Sequence, residues 1–230
     1  MRRLLGLLLL LVLLVVVDRS AAAYAGRTLA TELQRSGGLM ARPSVVVEGF
    51  PFLTQAVGGR YRRIEVAASD VPAGQTTLER LDAVLTGVRV PLSQALSGAV
   101  TEVPVDGVDA RVLLGYDALS RSSGSRGLTV EAAGDRVRVR DEVDVLGQRL
   151  RAAAVSTVAL EGDDVVVAAQ SFEVGNRVGD ALLTAALRNR FDLRLSVRDL
   201  PYGLAVDAVT VEPAGVLIRA TARDTVLTAR

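Results

Sequence analysis

An unbroken apolar run, Leu4 to Val17, follows Arg2 and Arg3 at the start of this chain. A helix apolar all round cannot form the surface of a water-soluble domain, and at the start of a chain it points to a membrane. Small residues come next, Ala21-Ala22-Ala23-Tyr24-Ala25. Basic start, apolar stretch and small-residue exit are the layout of a secretory signal. The run spans roughly 21 Å as a helix, short of a hydrocarbon core of roughly 30 Å, which favours a cleaved signal. Ala21-x-Ala23 and Ala23-x-Ala25 offer the cleavage sites.

The alternative for residues 1–25 is a retained membrane anchor. Asp18-Arg19 interrupts the approach to the cleavage sites, and residues 18–36 read as a helix stopped by Gly37-Gly38. Such a helix carries Tyr24, Leu29 and Leu33 on one side and Arg27, Glu32 and Arg35 on others. Either way the remainder is expected to be exported and to work outside the cytoplasm, beside the plasma membrane.

Three absences limit the chemistry. The chain has no His, no Cys and no Lys; all 27 basic residues are arginine. Ser-His, Cys-His and Ser-Lys catalysis are therefore excluded, zinc sites are disfavoured, and disulfides cannot form. Loss of residues 1–25 would remove Arg2, Arg3, Arg19 and Asp18, turning the formal charge from +1 to −1. That balance does not suit a nucleic-acid binder. The arginine bias itself reads as a GC-rich genome, although a guanidinium also suits phosphate.

Residues 26–230 read as one α+β domain with no Pro- or Ser-rich linker. Ser44 to Glu48 is an extended run after Pro43, and Gly49 to Gln55 is an aromatic-bearing turn or short helix. Tyr61 to Val71 alternates as a strand. Leu78 to Val90 is ambiguous, with Leu78, Leu81 and Leu85 at helical spacing but Val84, Val88 and Val90 alternating, and is assigned as strand. Pro91 to Leu96 makes one or two helical turns, Val103 to Leu114 a strand, and Tyr116 to Ser122 a short helix. Leu128–Ala133, Arg136–Val145, Arg149–Leu160 and Val165–Phe172 then form an antiparallel meander with Gly-containing turns. Val178 to Arg190 has the pattern of an amphipathic helix, with Leu182, Leu183 and Leu187 on or beside its apolar stripe. Phe191 to Val197 alternates, and a last hairpin, Leu204–Val211 and Val216–Thr221, follows the turn Leu200-Pro201-Tyr202-Gly203. Several strands are apolar or small on both faces, as in Ala152-Ala153-Ala154-Val155, which suits a sheet covered on both sides.

Gly49-Phe50-Pro51-Phe52-Leu53-Thr54-Gln55, followed by Gly59-Arg60-Tyr61, resembles the signature of the LmeA-like phospholipid-binding family of actinobacterial envelope proteins. Asp18-Arg19, Val88-Arg89-Val90-Pro91 and Leu200-Pro201-Tyr202-Gly203 stand in matching order. The resemblance covers nearly the whole chain. It implies a fold like the tubular lipid-binding (TULIP-like) proteins: a long curved antiparallel sheet wrapped around a helix, leaving an apolar channel. It also implies a non-enzymatic protein that binds phospholipid and supports envelope glycolipid assembly or lipid transport, with an envelope glycosyltransferase as a partner. No catalytic residue, cofactor or metal comes with it.

The acyl-chain candidates are Phe50, Phe52, Leu53, Val57, Ile64 and Val66, with Leu182, Leu183, Leu187 and Tyr202 in the C-terminal part. Phe50, Phe52 and Leu53 would line a lipid mouth or enter the bilayer; the ordinary reading is a buried anchor for the first strand. Arg60 and Arg63 are the headgroup candidates, although alternation sends Arg62 to the face opposite Arg63. Asp163-Asp164 and Asp141-Glu142-x-Asp144 lack the spacing of a calcium loop. Tyr116-Asp117 and the Asp106/Asp109 pair are the best carboxylates for an enzyme, and nothing supplies a third partner. A module that docks an envelope enzyme through a sheet edge is the alternative function.

Overall fold

The computed structural model describes residues 2–73, 76–97, 100–122, 128–145, 148–162, 164–174, 177–178, 193–196 and 203–228. The order of elements is α1 (Arg2–Ser36), β1 (Ser44–Glu48), α2 (Phe52–Gly58), β2 (Arg60–Ala73), β3 (Thr76–Arg89), α3 (Leu92–Ser97), β4 (Glu102–Gly115) and α4 (Tyr116–Ser122). It continues with β5 (Thr129–Ala133), β6 (Arg136–Val145), β7 (Gln148–Glu161), β8 (Asp164–Val174), β9 (Arg177–Val178), β10 (Leu193–Ser196), β11 (Ala205–Glu212) and β12 (Gly215–Thr228). The fold is α+β, dominated by antiparallel strands in open sheets. One sheet runs β1-β2-β3-β4-β12-β11; the other runs β10-β8-β7-β6-β5, with β9 beside β8.

Contacts divide the chain into two compact units. The first comprises Met1–Ser69, Asp82–Ala110 and Ala222–Arg230; the second comprises Asp70–Leu81 and Arg111–Thr221. The divisions fall inside β2, β3, β4 and β12, so no linker marks them in the sequence.

In the first unit, α1 continues past the apolar run without a break. Its second half packs on β1 and α2. The buried residues are Asp18, Ala22, Gly26 and Ala30, a stripe at four-residue spacing. Small side chains let the helix lie against strand backbone: a Cβ on Gly26 would stand 2.6 Å from the Val45 carbonyl oxygen. Tyr24, Leu29 and Leu33, the bulky residues of this half, are exposed. Closeness of approach, rather than side-chain bulk, has selected the buried face. Ala22 packs with Val47, Phe52 and Ala56, and Tyr61, Ile64 and Leu92 lie against this cluster.

In the second unit, β5 to β8 form the meander, with β6 antiparallel to both β5 and β7, and β7 antiparallel to β8. Along β7, buried Ala152, Ala154 and Ser156 alternate with half-buried Ala153, Val155 and Thr157, so neither face is fully wet. The core joins Val137, Val139, Ala152, Ala154, Ala169 and Phe172 to Val216 of β12, with Tyr116 and Leu119 of α4 packed against it. Tyr116 donates its hydroxyl to the Glu212 carbonyl at 2.6 Å, and Ser120 Oγ accepts the Val130 N–H at 2.8 Å. These two bonds fix α4 to the hairpin β11–β12 and to β5.

Two further expectations meet the structure at the C-terminal part. Val178, expected to open a helix, is paired with Glu173 as a strand residue. The remainder of that helix, with Leu182, Leu183 and Leu187, lies outside the described residues, as does Tyr202.

Candidate functional site

The stretch Gly49 to Gln55 is a latch between α1, β1 and β2. Gly49 has φ +105°, a conformation that favours glycine, and Gln55 lies where a Cβ on Gly49 would go. The Gly49 carbonyl accepts Arg19 Nη2 at 2.7 Å. The Phe50-Pro51 peptide is cis. Phe52 is buried against Ala22, Val47 and Ala56, its ring centroid 6.2 Å from that of Tyr61. Thr54 Oγ1 donates to the Pro51 carbonyl at 2.9 Å. Gln55, also buried, donates Nε2 to the carbonyls of Glu48 and Pro51, while its Oε1 accepts the Arg62 N–H at 2.9 Å. One amide side chain thus ties the end of β1 to the start of β2. Burial pushes the Tyr61 hydroxyl above its ordinary pKa.

The same latch is tied to the helix that leads to the apolar run. Asp18, only 3% exposed, accepts the Leu53 N–H at 2.9 Å through Oδ1. Its Oδ2 accepts Arg19 Nη2 at 2.7 Å. The Arg19 guanidinium lies over the Phe50 ring, 5.5 Å from the centroid. The Asp18 charge is thus paired and hydrogen-bonded, as a buried carboxylate requires.

Beside the latch is an open groove of about 770 Å³. Val57, Gly58, Gly59 and Arg60 line one side; Arg89, Pro91, Leu92 and Ser93 line the other. Gly59, at φ +62°, ends α2 and brings its carbonyl to the Val90 N–H at 2.9 Å, closing the groove floor. Arg89 is ion-paired with Asp106 across the sheet. Gly87, at φ +61°, leaves the room that Asp106 occupies.

The predicted residues therefore separate. Arg60 lines the groove, and no carboxylate pairs with it among the described residues. Arg63 instead pairs with Glu48 at 3.2 Å and with Glu65 at 2.7 Å. The hydrogen bond to Glu65 leads the contributions that hold Arg63 more firmly protonated than a free guanidinium. Phe52 is core, and Ile64 is packed against the same cluster. Val66 is half-buried on β2, opposite Val45. Phe50, Leu53 and Val57 are exposed at 55%, 42% and 78%. Asp18, Arg19, Gln55 and Arg89 were not singled out as site residues, although all four stand in the motifs that carry the family resemblance.

A family model, LmeA-like phospholipid-binding, matches residues 16–221. The chain belongs to the LmeA-like phospholipid-binding family. The match begins inside α1 and takes in the Asp18-Arg19 pair, the latch and both sides of the groove. The family is defined by phospholipid binding, not by a reaction. No curated protein and no solved structure matches the chain.

Proposed function

We propose that the chain is a non-enzymatic phospholipid-binding protein of the cell envelope, held to the membrane by α1, with the groove beside Arg60 as its headgroup site. The groove supports the reading: two guanidinium-bearing side chains, Arg60 and Arg89, line it together with apolar Val57, Pro91 and Leu92. A guanidinium pairs with phosphate oxygens in a bidentate manner, and Arg60 has the less engaged charge of the two. Apolar walls take the first methylenes of an acyl chain, each worth about 0.8 kcal/mol when removed from water. Leu182, Leu183, Leu187 and Tyr202, outside the described residues, remain acyl-chain candidates on the sequence alone.

The packing of α1 supports its retention. Cleavage after Ala23 or Ala25 would remove Asp18 and Ala22 from the packed face of the first unit. It would also leave the Leu53 N–H without its acceptor. α1 is long and apolar enough to cross a membrane. A lipid held this way, close to the bilayer that supplies it, suits transport or presentation to an envelope glycosyltransferase during glycolipid assembly.

Photocrosslinking tests the site. The full chain is reconstituted in vesicles containing a phospholipid with a photoreactive headgroup. The proposal expects adducts on residues 57–60 and 89–93, reduced by Arg60→Ala. Adducts confined to the Leu4–Val17 run would mean ordinary annular lipid and would overturn the groove as the headgroup site.

A further inference from the structure

The exposed apolar residues of the latch need an occupant. Phe50, Leu53 and Val57 project outward while Phe52, Gln55 and Ala56 of the same segment are buried. Leu53 and Val57 are one helical turn apart on α2, so they share a face. Phe50 lies three residues before Leu53 and under the Arg19 guanidinium, whose partner Asp18 holds the Leu53 N–H. The patch therefore has a fixed position along α1: the level of Asp18 and Arg19, directly after the apolar run ends at Val17.

We infer that Phe50, Leu53 and Val57 form a foot that enters the headgroup boundary of the phospholipid bilayer that α1 spans. The inference rests on the proposed retention of α1. Three observations single out the bilayer as occupant. The patch continues the exposed apolar surface of Leu4 to Val17 without an intervening exposed acid, because Asp18 is buried and paired. The run is short: its 14 residues reach roughly 21 Å, against a core of roughly 30 Å. A short span draws its flanking residues down into the interface, which is where this patch sits. Finally, the patch is edged by Arg19 and Arg60, cations complementary to lipid phosphate. Val57 also lines the groove, so the foot brings the groove mouth to the headgroup level from which a lipid would enter.

The lack of cysteine makes the test direct, because each introduced thiol is unique. Phe50→Cys, Leu53→Cys and Val57→Cys are each labelled with an environment-sensitive nitrobenzoxadiazole probe in the full chain. The chains are then reconstituted in phosphatidylglycerol-containing vesicles. Met40→Cys is the control: Met40 is 82% exposed and lies past the far end of α1, which runs roughly 27 Å beyond Asp18. The expected result is a blue shift and quenching by nitroxide-bearing lipid at 50, 53 and 57, with neither at 40. Probes at 50, 53 and 57 that match the control while the chain stays with the vesicles would overturn the foot alone. A chain that separates from the vesicles would overturn the foot and the retained anchor together.

Discussion

The Asp18 carboxylate accepts the backbone N–H of Leu53 at 2.9 Å, joining residues 35 apart in sequence. This bond sets α2 at the end of the apolar run and makes α1 part of the first unit. Asp18→Ala removes the acceptor, strands the Leu53 N–H and takes from the Arg19 guanidinium its carboxylate partner, leaving it the Gly49 carbonyl. The expected outcome is a lower thermal midpoint for the reconstituted chain. Asp18→Asn, which keeps one acceptor oxygen, should fall between the two. A melting curve unchanged in Asp18→Ala would show that the bond does not hold α1.

Gly26 tests the same packing from the other side of the contact. Its absent side chain is what lets α1 approach Val45, where a Cβ would stand 2.6 Å from the carbonyl oxygen. Gly26→Val forces the helix off the strand, and overpacking of this kind costs about 1–3 kcal/mol. Gly6 has nothing within 4 Å, so Gly6→Ala serves as the neutral comparison. Chemical denaturation of the two variants in the same detergent should separate them.

The two phenylalanines of the latch should behave differently. Phe52, 6% exposed, sits in the cluster with Ala22, Val47 and Ala56. Phe52→Ala should cost about 3 kcal/mol of stability, the lower end for deletion of a buried aromatic. Phe50 is 55% exposed, so Phe50→Ala should leave stability nearly unchanged. Equal losses in the two variants, read by the same unfolding transition, would contradict the separation of core and foot.

The fate of the N-terminal segment is readable by intact mass. The mature protein from the envelope should keep α1, with a mass close to the 24.2 kDa of the full chain. An N-terminus at Tyr24 or Gly26 would show that the packed face of α1 is dispensable.

Much of the local structure was legible, because turns and alternation are local signals. The short helix Tyr116–Ser122 and the meander strands stand where the pattern put them. The ambiguous segment resolves as a strand, β3, and the glycine that interrupts it has positive φ. What was not legible is what depends on distant partners. Nothing in Gly215–Thr228 announces that β12 lies between β4 and β11, and the segment runs past the expected Thr221 through Asp224, which has positive φ. The buried face of α1 was missed because Ala22, Gly26 and Ala30 carry little hydrophobic signal; they are chosen for how close they let a strand come. Within the site, the motif from Gly49 to Gln55 was visible as a unit, while the division of its residues between core and surface was not. Alternation cannot assign faces in a turn that leads into a seven-residue helix. Arg60 and Arg63 looked equivalent in sequence; only the pairing of β1 with β2 brings Glu48 to Arg63.

The most direct measurement is native mass spectrometry of the full chain released from lipid nanodiscs into detergent and then stripped of it. The account predicts a phospholipid that stays bound stoichiometrically to the wild-type chain and is lost in Arg60→Ala, while the variant keeps the wild-type melting curve. A wild-type chain that emerges free of phospholipid, or an Arg60→Ala chain that holds it equally well, would contradict the groove beside Arg60 as the binding site.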